Sequence, residues 1–176
     1  IAADPDGSTW FGTSAGASRL MTDGTLVHYR GDSGSDIREV GGSVTCIAID
    51  RAGNRWFGTY YGGLSVLRPD GRWQTFKARD GSGLSFDLIV DVQAGRDGRV
   101  WVLSAGPSPD GQPPTWRDAI DIVAPDGTWS AFDGPERGDE VFVRGIAFDD
   151  ADRPWFAADD GVYAPEGDGR WRRLTT

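Results

Sequence analysis

One stretch of this chain returns three times along its length. Asp6-Gly7-Ser8-Thr9-Trp10-Phe11-Gly12-Thr13 recurs as Ala52-Gly53-Asn54-Arg55-Trp56-Phe57-Gly58-Thr59. It recurs again as Asp97-Gly98-Arg99-Val100-Trp101-Val102-Leu103-Ser104, and as Ala151-Asp152-Arg153-Pro154-Trp155-Phe156-Ala157-Ala158. The four tryptophans lie 46, 45 and 54 residues apart. A second landmark follows each in step: Thr22-Asp23-Gly24-Thr25-Leu26, Pro69-Asp70-Gly71-Arg72-Trp73, Pro125-Asp126-Gly127-Thr128-Trp129 and Gly167-Asp168-Gly169-Arg170-Trp171. Two landmarks in phase make the chain an array of similar units. Such units bury their apolar faces against one another rather than around separate cores.

Each unit reads as four short strands, here A to D. Val44 to Asp50 is rich in β-branched and apolar residues, and Gly53-Asn54 turns it into Arg55 to Tyr60. Gly62-Gly63 leads to Leu64 to Arg68, and Pro69-Asp70-Gly71 leads to Trp73 to Lys77. No segment carries a capped period of 3.6 residues, so no helix is expected. A four-stranded sheet that is apolar on both faces must stack on neighbouring sheets, and radial stacking makes a propeller. The expectation is an all-β β-propeller with four four-stranded antiparallel blades, residues 1–43, 44–87, 88–141 and 142–176, in a single domain. The blades would close as a four-bladed ring or form half of an eight-bladed ring. Seven of the eight tryptophans fall on the repeat landmarks and are expected in the core between blades; Trp116 is the exception.

The composition narrows the function. A net charge of −9 opposes a phosphate backbone, so nucleic acid is excluded as a partner. No apolar run approaches the ~20 residues of a membrane helix, so no membrane contact by this chain is expected. Because Ile1 reads as mid-strand, further sequence is expected upstream of it. The single Cys46 excludes an internal disulfide and falls in an apolar strand, as a small core residue. His28, the only histidine, falls on a strand D beside Tyr29, where a solvated edge residue is expected rather than a general base. With one histidine and one cysteine there is no zinc ligand set, and no Asp-rich run is closed by a Glu as a calcium loop requires. The turn aspartates are expected to cap turns. Asp149-Asp150 and Asp159-Asp160 are sequence neighbours and point to opposite faces of a strand, so they make no acid/base pair unaided. No cofactor, metal or catalytic residue is expected, and the chain reads as a non-enzyme.

The string from Cys46 to Thr59, with Gly62-Gly63-Leu64-Ser65-Val66-Leu67 and Gly71-Arg72-Trp73, resembles the two-component-regulator propeller repeat. Gly81-Ser82-Gly83-Leu84-Ser85-Phe86-Asp87 is similar to that family's connection between blades. The resemblance covers essentially the whole chain. It is sharpest in the second repeat and eroded in the third and fourth, where Leu103-Ser104 and Ala157-Ala158 replace Gly-Thr. It implies a bacterial protein of the periplasm or cell exterior, with a sensory role often directed at carbohydrate. Repeats of that family typically build seven blades, against four here.

In a blade the A–B and C–D turns lie on one side of the disc, and the B–C and D–A connections on the other. The first set is short. The second varies, running through Arg30 to Ser43, Ala78 to Asp87 and Asp133 to Val141, and the third B–C loop is expanded from Ala105 to Asp118. Long loops on a rigid scaffold are where binding concentrates. Trp116, Arg117, Tyr60, Tyr61 and Arg38 are therefore the candidate ligand-binding residues, supplying stacking and hydrogen bonds to a carbohydrate or peptide. The plainer reading is that Trp116 only pins its Pro-rich loop. Three functions follow from the sequence. The chain is a ligand-binding or sensory module; or it is a structural scaffold that assembles with itself and has no ligand; or, less simply, it is a polysaccharide lyase or hydrolase. The last meets the difficulty that Asp4 and Asp50 lie three residues before their glycines, where sialidase Asp boxes place them two before. Open ends of a four-blade array would expose apolar sheet, so self-association is expected, with a homodimer favoured.

Overall fold

The computed structural model describes residues 1–29, 42–107, 116–136, 141–167 and 169–175. Among these residues sixteen strands run in chain order. They are β1 (Ala2–Ala3), β2 (Thr9–Thr13), β3 (Gly16–Leu20) and β4 (Leu26–Tyr29) in blade 1, and β5 (Val44–Ile49), β6 (Arg55–Thr59), β7 (Leu64–Leu67) and β8 (Trp73–Phe76) in blade 2. Blade 3 holds β9 (Leu88–Ala94), β10 (Val100–Pro107), β11 (Trp116–Val123) and β12 (Trp129–Phe132). Blade 4 holds β13 (Val143–Phe148), β14 (Pro154–Ala158), β15 (Gly161–Gly167) and β16 (Arg170–Leu174). Each blade is one antiparallel sheet in sequential order. The strand limits read from blade 2 lie within one residue of those observed.

The turns form as their side chains direct. Asp4, Asp50 and Asp149 end their A strands, and each accepts the indole N–H of the tryptophan six residues on, at 3.0, 2.8 and 3.2 Å. Asp50 and Asp149 also accept the turn amides of Asn54 and Arg153. Gly95 occupies the equivalent position in blade 3. In the C–D turns, Asp23, Asp70 and Asp126 accept the amide two residues ahead. One short acidic side chain thus satisfies turn amides, and at the A–B turns it also satisfies the buried indole, which would otherwise remain unpaired at a cost of about 1–3 kcal/mol.

Three apolar layers join the blades. Trp10, Ala17 and Tyr29 of blade 1 meet Phe57, Leu67 and Trp73 of blade 2. Trp56, Leu64, Val66 and Phe76 of blade 2 meet Ile89, Val100, Val102 and Val123 of blade 3. Trp101, Leu103, Ile120 and Ile122 of blade 3 meet Ile146, Phe156 and Tyr163 of blade 4. The β2-type strand therefore obeys one rule: its tryptophan faces the following blade, and the next residue, Phe57, Val102 or Phe156, faces the preceding one. Polar links follow the same seams. Arg55 donates to both carboxylate oxygens of the buried Asp4, at 2.7 and 3.2 Å. Thr45 donates to the Ile89 carbonyl at 2.7 Å, and Asp91 accepts the Ile146 amide at 2.8 Å.

Among the described residues no such layer joins blade 4 to blade 1, and the arrangement is an open arc rather than a closed four-bladed ring. This corrects one expectation about the tryptophans. Trp155 occupies a lattice position but is only half-buried, because among the described residues no blade packs on the face that carries it.

Candidate functional site

The B–C turn of blade 2 is held from three sides. The Tyr60 amide donates to the Ser43 carbonyl, and the Gly63 amide donates to that of Asp87, both at 2.9 Å. The buried Thr59 hydroxyl donates to the Gly63 carbonyl at 2.8 Å. Gly63 has φ +79, and a Cβ there would lie 2.2 Å from the Phe76 carbonyl oxygen, so only glycine fits. The tight path forces Tyr61 to φ 69, a left-handed conformation that bulky residues rarely adopt. Both tyrosine side chains are thereby pushed outward, Tyr60 54% and Tyr61 50% exposed, with ring centroids 4.6 Å apart at 75°.

Trp116 comes to the same place from blade 3. The insertion after Ala105 is not loop at its flanks, as the sequence reading had it. β10 and β11 extend into it and remain paired through Pro107 and Trp116. Gly106 lets this extension pass under Phe86, whose ring would lie 2.2 Å from a Cβ at that position. At the end of the lengthened hairpin, Trp116 is 38% exposed and its ring centroid lies 6.5 Å from that of Tyr61, at 61°. Three exposed aromatic rings from two blades thus make one ledge on the side of the variable connections. Desolvation, with Tyr60 next to it, raises the Tyr61 hydroxyl above its ordinary pKa, so Tyr61 is uncharged at neutral pH.

Arg117 follows Trp116 on β11, is exposed, and points to the opposite face of the strand. It is not brought into the ring group. Arg38 lies outside the described residues. His28 is exposed on blade 1, its Nδ1 2.9 Å from the Ser18 hydroxyl. Among the described residues no three His, Cys, Asp or Glu side chains gather as metal ligands. The Cys46 sulfur lies against Gly58, and burial pushes its thiol up to about 12, so it is protonated and inert at neutral pH.

The sequence reading missed a second concavity, on the side of the short turns. A cleft of about 560 Å³ opens between blades 2 and 3, floored by Trp56 and Phe76 and rimmed by Arg68, Gln74, Asp97 and Asp126. Arg68 is spent on Gln74 at 2.8 Å, and Asp97 and Asp126 cap their own turns. The signal available in the sequence was the pair Trp56 and Phe76, whose stacked rings both lie on the blade 2 side of the seam. The ledge differs in presenting aromatic faces that no core layer uses.

No protein-family model matches the chain, and no curated protein is similar to it in sequence. Solved structures are similar in fold. The extracellular domain of a hybrid two-component system from B. thetaiotaomicron, BT3049, superposes with a TM-score of 0.74 at 19% identity, over 99% of this chain and 22% of that one. By fold, this chain is a β-propeller. A catalytically inactive H270A virginiamycin B lyase from Staphylococcus aureus, solved with quinupristin, matches with a TM-score of 0.67 at 16% identity, over 99% of this chain and 54% of that one. YCF48 bound to D1 peptide matches with a TM-score of 0.62 at 18% identity, over 96% and 50%. The propeller thus spans between about a fifth and about half of these solved chains. They include an extracellular domain of a two-component system, a lyase and a peptide-bound protein, so the shared scaffold decides nothing about chemistry.

Proposed function

We propose that this propeller is a ligand-binding module whose Tyr60, Tyr61 and Trp116 ledge receives a neutral carbohydrate or a peptide. The observation that carries the reading is the convergence of three exposed rings from two blades, one of them held in a strained backbone conformation by a pinned turn. Exposed aromatics that no core layer recruits offer flat apolar faces with polar edges, which suit the C–H faces of a sugar or the side chains of a peptide. The net charge of −9 disfavours polyanions and leaves uncharged or basic ligands. The likeness to an extracellular domain of a two-component system supports a place in the periplasm or at the cell exterior.

Titration calorimetry against a panel of neutral oligosaccharides and peptides tests the reading. A saturable ligand is expected, with Tyr61→Ala and Trp116→Ala each weakening it tenfold or more while leaving the unfolding midpoint in place. A panel without any binder, or a binder indifferent to both substitutions, would refute it.

A further inference from the structure

The seam between blades 1 and 2 and the seam between blades 2 and 3 share one plan, but on the side of the short turns they are filled differently. In the first seam Asp4 holds Arg55, which reaches across from β6 with Nε 2.7 Å from one carboxylate oxygen and Nη2 3.2 Å from the other. A second guanidinium, that of Arg19 on β3, lies over the Trp10 ring, 5.2 Å from its centroid. It pairs with Asp6 and donates to the Ser8 hydroxyl at 2.8 Å. The chain thus fills this seam with two of its own arginines, one on a carboxylate and one on an aromatic face.

Position by position, the second seam keeps the receiving groups and loses both cations. Asp50 stands six residues before Trp56 as Asp4 stands before Trp10, and each accepts the indole N–H of its tryptophan. Val66 lies opposite Trp56 where Arg19 lies opposite Trp10. Val100 precedes Trp101 where Arg55 precedes Trp56. The cleft of about 560 Å³ opens at this place, with Asp50, Trp56, Phe76 and Val100 in its wall. Every donor to the Asp50 carboxylate is neutral: the Asn54 amide at 2.9 Å on Oδ1, and the Asn54 side-chain amide at 2.7 Å and the Trp56 indole at 2.8 Å on Oδ2. That fills three of about four lone-pair positions and leaves one on Oδ1. Asp126 brings a carboxylate from blade 3, with Oδ1 on Thr128. The cations of the cleft itself are Arg68, bonded to Gln74 at 2.8 Å, and the exposed Arg51. Among the described residues neither lies over the Trp56 ring or donates to Asp50.

We propose that this cleft binds the guanidinium of an arginine from a basic peptide segment, which takes the place that Arg19 and Arg55 fill in the neighbouring seam. The planar cation lies against the rings at the floor and donates to Asp50, and Asp126 faces it from the rim. Arginine suits the place better than lysine because a flat, weakly hydrated fork can stack and donate at once. The net charge of −9 draws a basic segment to the surface. The cleft lies on the side of the disc opposite the ledge of Tyr60, Tyr61 and Trp116, so the two are separate sites.

A nuclear magnetic resonance titration of the isotope-labelled chain with acetyl-glycyl-arginyl-glycinamide tests the proposal, read at the indole N–H of Trp56. A saturable shift is expected at millimolar peptide, and the same tripeptide with citrulline, uncharged and of like shape, should not produce it. Asp50→Asn should weaken binding about tenfold or more, as the loss of a charge-assisted bond predicts. If that change disturbs the turn that Asp50 caps, the exposed Asp126→Asn carries the comparison, with about threefold weakening. Tyr61→Ala, on the ledge, should leave the titration unchanged. Absence of a shift at Trp56 overturns the proposal. So does equal binding of the citrulline peptide, or binding that neither aspartate substitution weakens. Loss of binding in Tyr61→Ala also overturns it, because the arginine then sits at the ledge.

Discussion

Replacing Trp56 with alanine tests the blade-to-blade layer most directly. Its ring is buried between blades 2 and 3, stacked on Phe76 with centroids 6.1 Å apart, and its indole N–H donates to Asp50 at 2.8 Å. Burying a ring of this size removes ~150–250 Å² from water, an upper limit of about 4–6 kcal/mol at ~25 cal/mol per Å². Truncation to alanine in a core costs about 3–5 kcal/mol, with the lost bond to Asp50 included because Asn54 still donates to that carboxylate at 2.7 Å. Trp116→Ala, at an exposed ring, should cost under about 1 kcal/mol. Urea unfolding followed by far-ultraviolet dichroism gives both values, provided the slope against denaturant is unchanged, so that the midpoint alone reports stability. Equal losses at the two sites, or a loss under about 1 kcal/mol at Trp56, would show that the ring does not hold the seam.

Two further outcomes follow from the geometry. Burial raises the Asp4 carboxyl, but the bonds from Arg55 and Trp10 outweigh it and hold the group below its ordinary 3.8, so its stabilisation is present above that pH and is lost as the pH falls through the lower folded value. Asp4→Asn should therefore lower stability by about 2 kcal/mol at neutral pH, with the gap to wild type closing in acid; thermal midpoints from pH 7 downward check this, and a constant gap refutes it. Tyr61→Gly should stabilise the fold by about 0.5–1 kcal/mol by relieving the left-handed backbone while removing the central ring of the ledge. A lower melting temperature in that variant would show that the tyrosine side chain holds the turn.

Much of the fold lay open in the sequence because its determinants are local. Turn chemistry at Asp70-Gly71 or Gly53-Asn54, alternation along Leu64–Leu67 and the spacing of the tryptophans each act over a few residues, and together they specify sixteen strands in four sheets. Tyr60, Tyr61 and Trp116 could be chosen as exposed aromatics off the repeat lattice, yet nothing in their spacing says that rings 55 residues apart in the chain come to 6.5 Å. That distance depends on how far β10 and β11 run on past the seam, which the long insertion concealed. Arg117 was chosen with Trp116, and strand alternation in the extended hairpin turns it away. The third blade lacks an aspartate at Gly95 and still forms, since its core face is supplied by Val100, Val102 and Val123 rather than by the turn. The sequence by itself determined the units, their strands and their caps. Only the tertiary structure decided which face of each blade meets which neighbour, because that depends on the twist and stagger of whole sheets. For the same reason it alone showed that Trp155, at the same repeat position as the buried Trp10, Trp56 and Trp101, is only half-buried.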